Sequence, residues 1–111
     1  MHTIRIFFVL TSLLLTGFLF AEDLNQQLIE ATRNGDVATV KSLLDRGADV
    51  NAKSRYNITP LAISCDKGNL EMVKLLVERG ADLNAEDSFY HASPLSWAAE
   101  NGNVEIMKFL I

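Results

Sequence analysis

Apolar and polar positions divide the chain into two unlike parts. Residues 6–20 read IFFVLTSLLLTGFLF and carry no charge. From Glu22 onward apolar residues recur at steps of three and four between polar ones, the spacing of one helical face. Arg5 precedes the apolar run, and Ala21, Glu22 and Asp23 follow it. Positive charge before and negative charge after is the layout of a secretory signal peptide, which keeps its amino end cytoplasmic while the rest crosses. Cleavage is expected after Ala21, although Leu19 is larger than that position favours. The alternative is a retained membrane anchor, against which the run is short of the roughly 20 residues that a span needs. The chain therefore divides into a signal segment at 1–21 and a folded domain at 22–111. A periplasmic or secreted location is expected, or a membrane-anchored one facing the non-cytoplasmic side.

Within the second part the pattern repeats with a period of 33 to 34 residues. Gly35-Asp-Val returns as Gly68-Asn-Leu and Gly102-Asn-Val, and Gly47-Ala-Asp returns as Gly80-Ala-Asp. Thr59-Pro-Leu returns as Ser93-Pro-Leu, one residue late, which places an insertion in residues 86–92. Each unit predicts a short helix, a tight turn, a second helix and a long hairpin-like loop. Thr59 and Ser93 are suited to cap the short helix, with Pro60 and Pro94 at its first position, where a missing N–H costs nothing. The short helix of unit two is predicted over Pro60 to Lys67, stopping at Gly68. Asp36, Asn69 and Asn103 are expected to cap the second helices.

The apolar face of those second helices is read as Val37, Val40, Leu43 and Leu44 in unit one. In unit two it is Leu70, Val73, Leu75, Leu76 and Val77; in unit three it is Val104, Ile106, Met107, Phe109 and Leu110. Gly47 and Gly80 fall where a helix ends in a left-handed residue. Small residues at Ala31, Ala62, Ser64, Ala98 and Ala99 allow neighbouring helices to approach closely. A core of this kind runs along a stack of units, because one unit alone cannot bury its own face.

The run TPLAISCDKGNLEMVKLLVERGADLNA, residues 59–85, resembles an ankyrin repeat. The resemblance implies an all-α solenoid of helix-turn-helix units joined by hairpin loops, with its third repeat incomplete. Residues 22–52 resemble the family's amino-terminal capping repeat, residues 53–85 form repeat two, and residues 86–111 are a partial repeat three. Asn25, Gln26, Gln27 and Glu30 are expected to present the cap's polar face to water. The sequence departs from the family in three places. The family histidine is Ala62 in unit two and Ser96 in unit three. Asn57, which tolerates positive φ, stands for the hairpin glycine, and no such residue lies between Asp87 and Ser93. The sequence stops inside the second helix of unit three, so a longer array is expected.

Composition narrows the chemistry. With 14 acidic and 10 basic residues the net charge is −4, and no basic stripe is present. Nucleic acid is therefore excluded as the main partner, since phosphate binding needs clustered cations. One cysteine excludes an internal disulfide, and two histidines exclude a histidine-rich metal site. Cys65 occupies a small-residue position of the short helix, which reads as core packing. The acidic pairs Glu22-Asp23 and Glu86-Asp87 read as solvated charge. Asn57-Ile58-Thr59 matches a glycosylation sequon, but Thr59 is already committed as a cap. No catalytic residue, metal or cofactor is expected.

What remains is a protein partner, with membrane contact only if the amino-terminal segment is retained. In an ankyrin-like stack, loop tips and the exposed ends of the short helices line one concave side. The resemblance places Arg55, Tyr56 and Ile58 there from the loop of unit two. It adds Ser88, Phe89, Tyr90 and His91 from the loop of unit three. Arg33, Asp66, Lys67, Glu100 and Asn101 follow from helix ends, and Trp97 from the short helix of unit three. The alternative is the amino-terminal part of a longer envelope protein. Such a protein would be an assembly factor for another enzyme or would carry catalysis in a further region.

Overall fold

A computed structural model describes residues 16–111, with side chains from Leu24 onward. Most of the expected signal segment, residues 1–15, lies outside the described residues. Helix α1 spans Thr16–Arg33 and passes unbroken through the Ala21–Glu22 bond where cleavage is expected. Among the described residues, no helix is long and apolar enough to cross a membrane.

Five further helices complete three pairs with α1: α2 at Val37–Asp45, α3 at Pro60–Lys67, α4 at Leu70–Glu78, α5 at Pro94–Glu100 and α6 at Val104–Leu110. No strand occurs among the described residues. The caps explain the boundaries. Thr59 Oγ1 accepts the Ala62 N–H at 3.3 Å and Ser93 Oγ accepts the Ser96 N–H at 3.3 Å, each just ahead of a proline at the first helical position. Asp36 and Asn69 accept from the N–H groups of Thr39 and Met72, both at 3.1 Å. These contacts satisfy N–H groups that the first turn leaves without an intrahelical partner.

Asn103 departs from the expectation and makes no capping bond. Its amide instead donates to the Cys65 carbonyl one unit earlier, at 3.0 Å. That position draws it close to Gly68, whose φ is +71° and where a Cβ would lie 3.1 Å from the Asn103 amide oxygen. Gly68 is thus favoured by its conformation, and a Cβ there would press on Asn103 of the next unit.

The helices form two layers. The first helices of the units, α1, α3 and α5, pack in series, and so do the second helices, α2, α4 and α6, while each pair closes on itself. The core follows the stack through Leu28, Val40, Leu43, Leu61, Cys65, Met72, Val73, Leu76, Ala98 and Ile106. Met72, absent from the sequence-derived face, is fully buried. Val104 and Phe109, read as core, are exposed on the outer side of unit three, and Ala99 is exposed as well. Asn25, expected to face water, is half-buried because its side chain accepts the Asp49 N–H at 2.8 Å. Asn51 repeats this one unit on, accepting the Asp82 N–H at 2.7 Å. These bonds, with an Asp45–Arg79 ion pair at 2.7 Å, tie successive units together at their loop ends.

Candidate functional site: the loop and short-helix surface

The loop of unit two is a single turn at Arg55–Asn57. It is closed by the Ser54 N–H and Oγ, which both donate to the Ile58 carbonyl at 2.9 Å. Tyr56 and Asn57 both adopt left-handed backbone, with φ of 64° and 59°. Asparagine takes that conformation readily and tyrosine rarely does, so Tyr56 carries backbone strain. The carbonyl of Tyr56 accepts the Ser88 N–H at 2.7 Å, which locks the loop of unit two to that of unit three.

The longer loop of unit three is built around Asp87. Its carboxylate accepts N–H groups from Phe89 at 2.9 Å, Tyr90 at 2.6 Å and Ala92 at 3.3 Å. This corrects the solvated reading of the Glu86-Asp87 pair: Glu86 is exposed, whereas Asp87 is only 3% exposed. Burial raises the Asp87 carboxyl, but the three backbone donors outweigh it and hold the group below the ordinary carboxylate value. The Trp97 indole N–H is near enough to favour the charge, yet it is buried without a hydrogen bond of ordinary geometry. His91 supplies the left-handed residue of the unit-three loop, with φ of 55°.

The two loops bring four aromatic rings into one chain. Tyr56 meets Phe89 edge to face at 5.3 Å between centroids, Phe89 meets Tyr90 at 4.5 Å, and Tyr90 meets Trp97 at 6.1 Å. Tyr56, Phe89 and Tyr90 remain 52%, 59% and 68% exposed. Trp97 is half-buried and packs against the core. Together with Ile58 and Asp87 these rings line a shallow cleft of about 280 Å³.

A second cleft of about 240 Å³ adjoins it. It is lined by Arg33, Ile58, Ala62, Ile63, Asp66, Lys67 and Trp97, so Ile58 and Trp97 belong to both. Arg33 also lines a third, with Arg55, Glu30, Gln26, Ile29 and Ser54. The residues chosen from sequence therefore divide into groups. Arg33, Arg55, Tyr56, Ile58, Asp66, Lys67, Phe89, Tyr90 and Trp97 are brought to contiguous clefts. Asn101 is exposed and lines none of the three clefts, its amide donating to the Asp66 carboxylate at 3.0 Å and to the Trp97 carbonyl at 3.0 Å. Glu100 and His91 are exposed and line none of the three clefts. Sequence reasoning missed Asp87 as the organiser of the loop. The available signal was its offset of 33 from Ser54, the residue that closes the loop of unit two.

Residues 28–111 match the family described as ankyrin repeats (3 copies). The chain belongs to the ankyrin-repeat family. A putative ankyrin repeat protein of Rickettsia felis is 33% identical over 54 residues, covering 49% of this chain and 82% of that protein. A transient receptor potential cation channel subfamily A member 1 homolog of Caenorhabditis elegans is 50% identical over 46 residues, or 41% of this chain and 4% of the channel. The ankyrin repeat, SAM and basic leucine zipper domain-containing protein 1 of Dasypus novemcinctus is 36% identical over 56 residues, or 50% of this chain and 12% of that protein. The chain thus spans a small fraction of the latter two. Ankyrin repeats serve protein–protein interaction, and a protein partner is the general expectation for such a stack.

The ankyrin units offer little for chemistry. Cys65 is fully buried, and burial pushes its thiol up to about 12. A thiol in that state is not a nucleophile near neutral pH. Among the described residues no group of three His, Cys, Asp or Glu side chains could hold a metal ion.

Proposed function

We propose that the chain is an exported ankyrin-repeat module that binds a protein partner through its loop tips and the adjoining concave face, and that it carries no catalytic site. The observation that supports this most is the exposed aromatic chain Tyr56–Phe89–Tyr90, anchored on half-buried Trp97. Aromatic side chains are favoured at the centres of interfaces because they cover much area and lose few rotamers. Affinity capture from the extracytoplasmic fraction, followed by identification of the retained protein, tests the reading. Retention by the wild-type chain and loss with Tyr56→Ala or Tyr90→Ala is the expected result. Retention unchanged by both, but lost with Lys41→Ala or Lys74→Ala on the second helices, would put the binding side on the opposite face.

Export rests on Arg5, the apolar run and the acids after Ala21. The mature chain is expected to begin at or near Glu22. Amino-terminal sequencing of protein from fractionated cells decides this: an intact Met1 on soluble cytoplasmic protein would contradict export, and an intact Met1 in the membrane would select the anchor. A role as one part of a longer envelope protein is the second reading. It draws support from the relatives whose similar segments are small fractions of their length.

A further inference from the structure

The surface holds two chemically different compartments that share a wall. One is the aromatic cleft; the other carries cations. Arg33, Lys67 and Arg55 line the clefts on the unit-one side of Trp97, against the carboxylates of Glu30 and Asp66. Asp66 accepts the neutral amide of Asn101, and Glu30 lies 3.6 Å from Arg33 in a largely exposed pair, a contact of small worth. The side chains of Lys67 and Arg55 have no ion-pair partner among the described residues. Three cationic side chains against two carboxylates leave this face one positive charge in excess, beside the aromatic cleft and in a chain of net charge −4.

Resting on the binding reading above, we infer that the partner presents an extended peptide segment pairing an aromatic or large aliphatic side chain with an acidic one. The apolar side chain occupies the cleft of Tyr56, Phe89 and Tyr90. The acidic one lies beyond Trp97, between Arg33 and Lys67. Because Ile58 and Trp97 line both clefts, the two side chains stand a few residues apart, at about 3.3 Å per extended residue. An acidic residue is selected because the cations lining this side outnumber the carboxylates by one. Arg33 and Lys67 also stand in the last turns of α1 and α3, where they complement the helix ends. That role is compatible with contact to a ligand, since both side chains are exposed.

The test is selection of a randomised twelve-residue peptide library on the immobilised full chain, followed by affinity measurement on the enriched peptides. The expected result is enrichment of Asp or Glu within about four positions of an aromatic or aliphatic residue. Affinity should fall at least tenfold with Arg33→Glu or Lys67→Glu, and similarly with Tyr90→Ala. It should recover substantially with Arg33→Lys and weaken as salt is raised. Circular dichroism confirms that these surface variants fold. Enriched peptides that need Tyr90 but show no acidic preference would overturn this inference and leave the binding face intact. Peptides insensitive to Tyr90, Arg33 and Lys67 alike would overturn the binding face as well. Failure to enrich any peptide over the starting library would overturn a linear-segment partner.

Discussion

At the scale of single residues, the loop of unit three depends on two side chains of opposite character. Asp87 satisfies three backbone donors from inside the loop, and its removal leaves part-buried N–H groups without that partner. Asp87→Ala is expected to destabilise the chain by about 1–3 kcal/mol, measured by chemical denaturation. The acid limb of stability should report the same group. Its pKa in the folded state is lowered, so its contribution is full above the unfolded value, about 3.9. It is lost as pH falls through the lower folded value. Asp87→Asn should flatten that limb below about pH 4; an unchanged acid limb would mean that Asp87 does not titrate differently on folding.

His91 is the opposite case, a side chain without a described role on a left-handed backbone. His91→Gly should be tolerated or slightly stabilising. His91→Val should cost about 1–2 kcal/mol, because a branched Cβ is worst in that region. Equal stability of the two variants would show that the loop does not hold this conformation. Neither structural role was read from sequence. Asp87 looked like one more acidic loop residue, and histidine is an uncommon substitute for glycine at a turn.

At the scale of elements, the boundaries were legible because caps are local chemistry. Thr59-Pro60 and Ser93-Pro94 fix starts, and Gly68 fixes a stop, whatever the rest of the chain does. Faces were less legible. Helix α4 packs against α2, α3 and α6, so its buried arc is wide enough to include Met72 along with Val73 and Leu76. Helix α6 has neighbours on one side, and Phe109 and Val104 stay exposed although the same periodicity marked them. The energetic consequence is a contrast between equivalent-looking positions. Leu76→Ala should cost about 2–5 kcal/mol as a cavity-forming change in a packed core. Phe109→Ala should cost far less, since Phe109 is already 41% exposed and its neighbour is the ammonium of Lys74. Denaturation midpoints of the two variants measured together check this, and a larger loss for Phe109→Ala would mean that the outer side of unit three is covered.

At the scale of the whole molecule, stacking decides what the loops can do. Each unit contacts its neighbours, so the tips of successive loops fall side by side on one edge. Tyr56 and Phe89 lie 33 positions apart, one repeat period, and stacking places their rings 5.3 Å apart. Sequence showed them as separate loop aromatics; their union with Tyr90 and Trp97 needed the Ser88–Tyr56 backbone bond and the Asp87 turn, which are tertiary facts. The residue types at the binding side were therefore legible, and their arrangement into an aromatic and a cationic compartment was not. Once a partner has been captured, its affinity should be measured by titration calorimetry for the wild-type chain, Tyr56→Ala, Tyr90→Ala and Lys74→Ala, with circular dichroism as the folding control. The aromatic truncations should each cost on the order of 2 kcal/mol in binding with the fold intact, and Lys74→Ala should change little. Full affinity in both aromatic variants would show that the partner does not bind the loop edge of the stack.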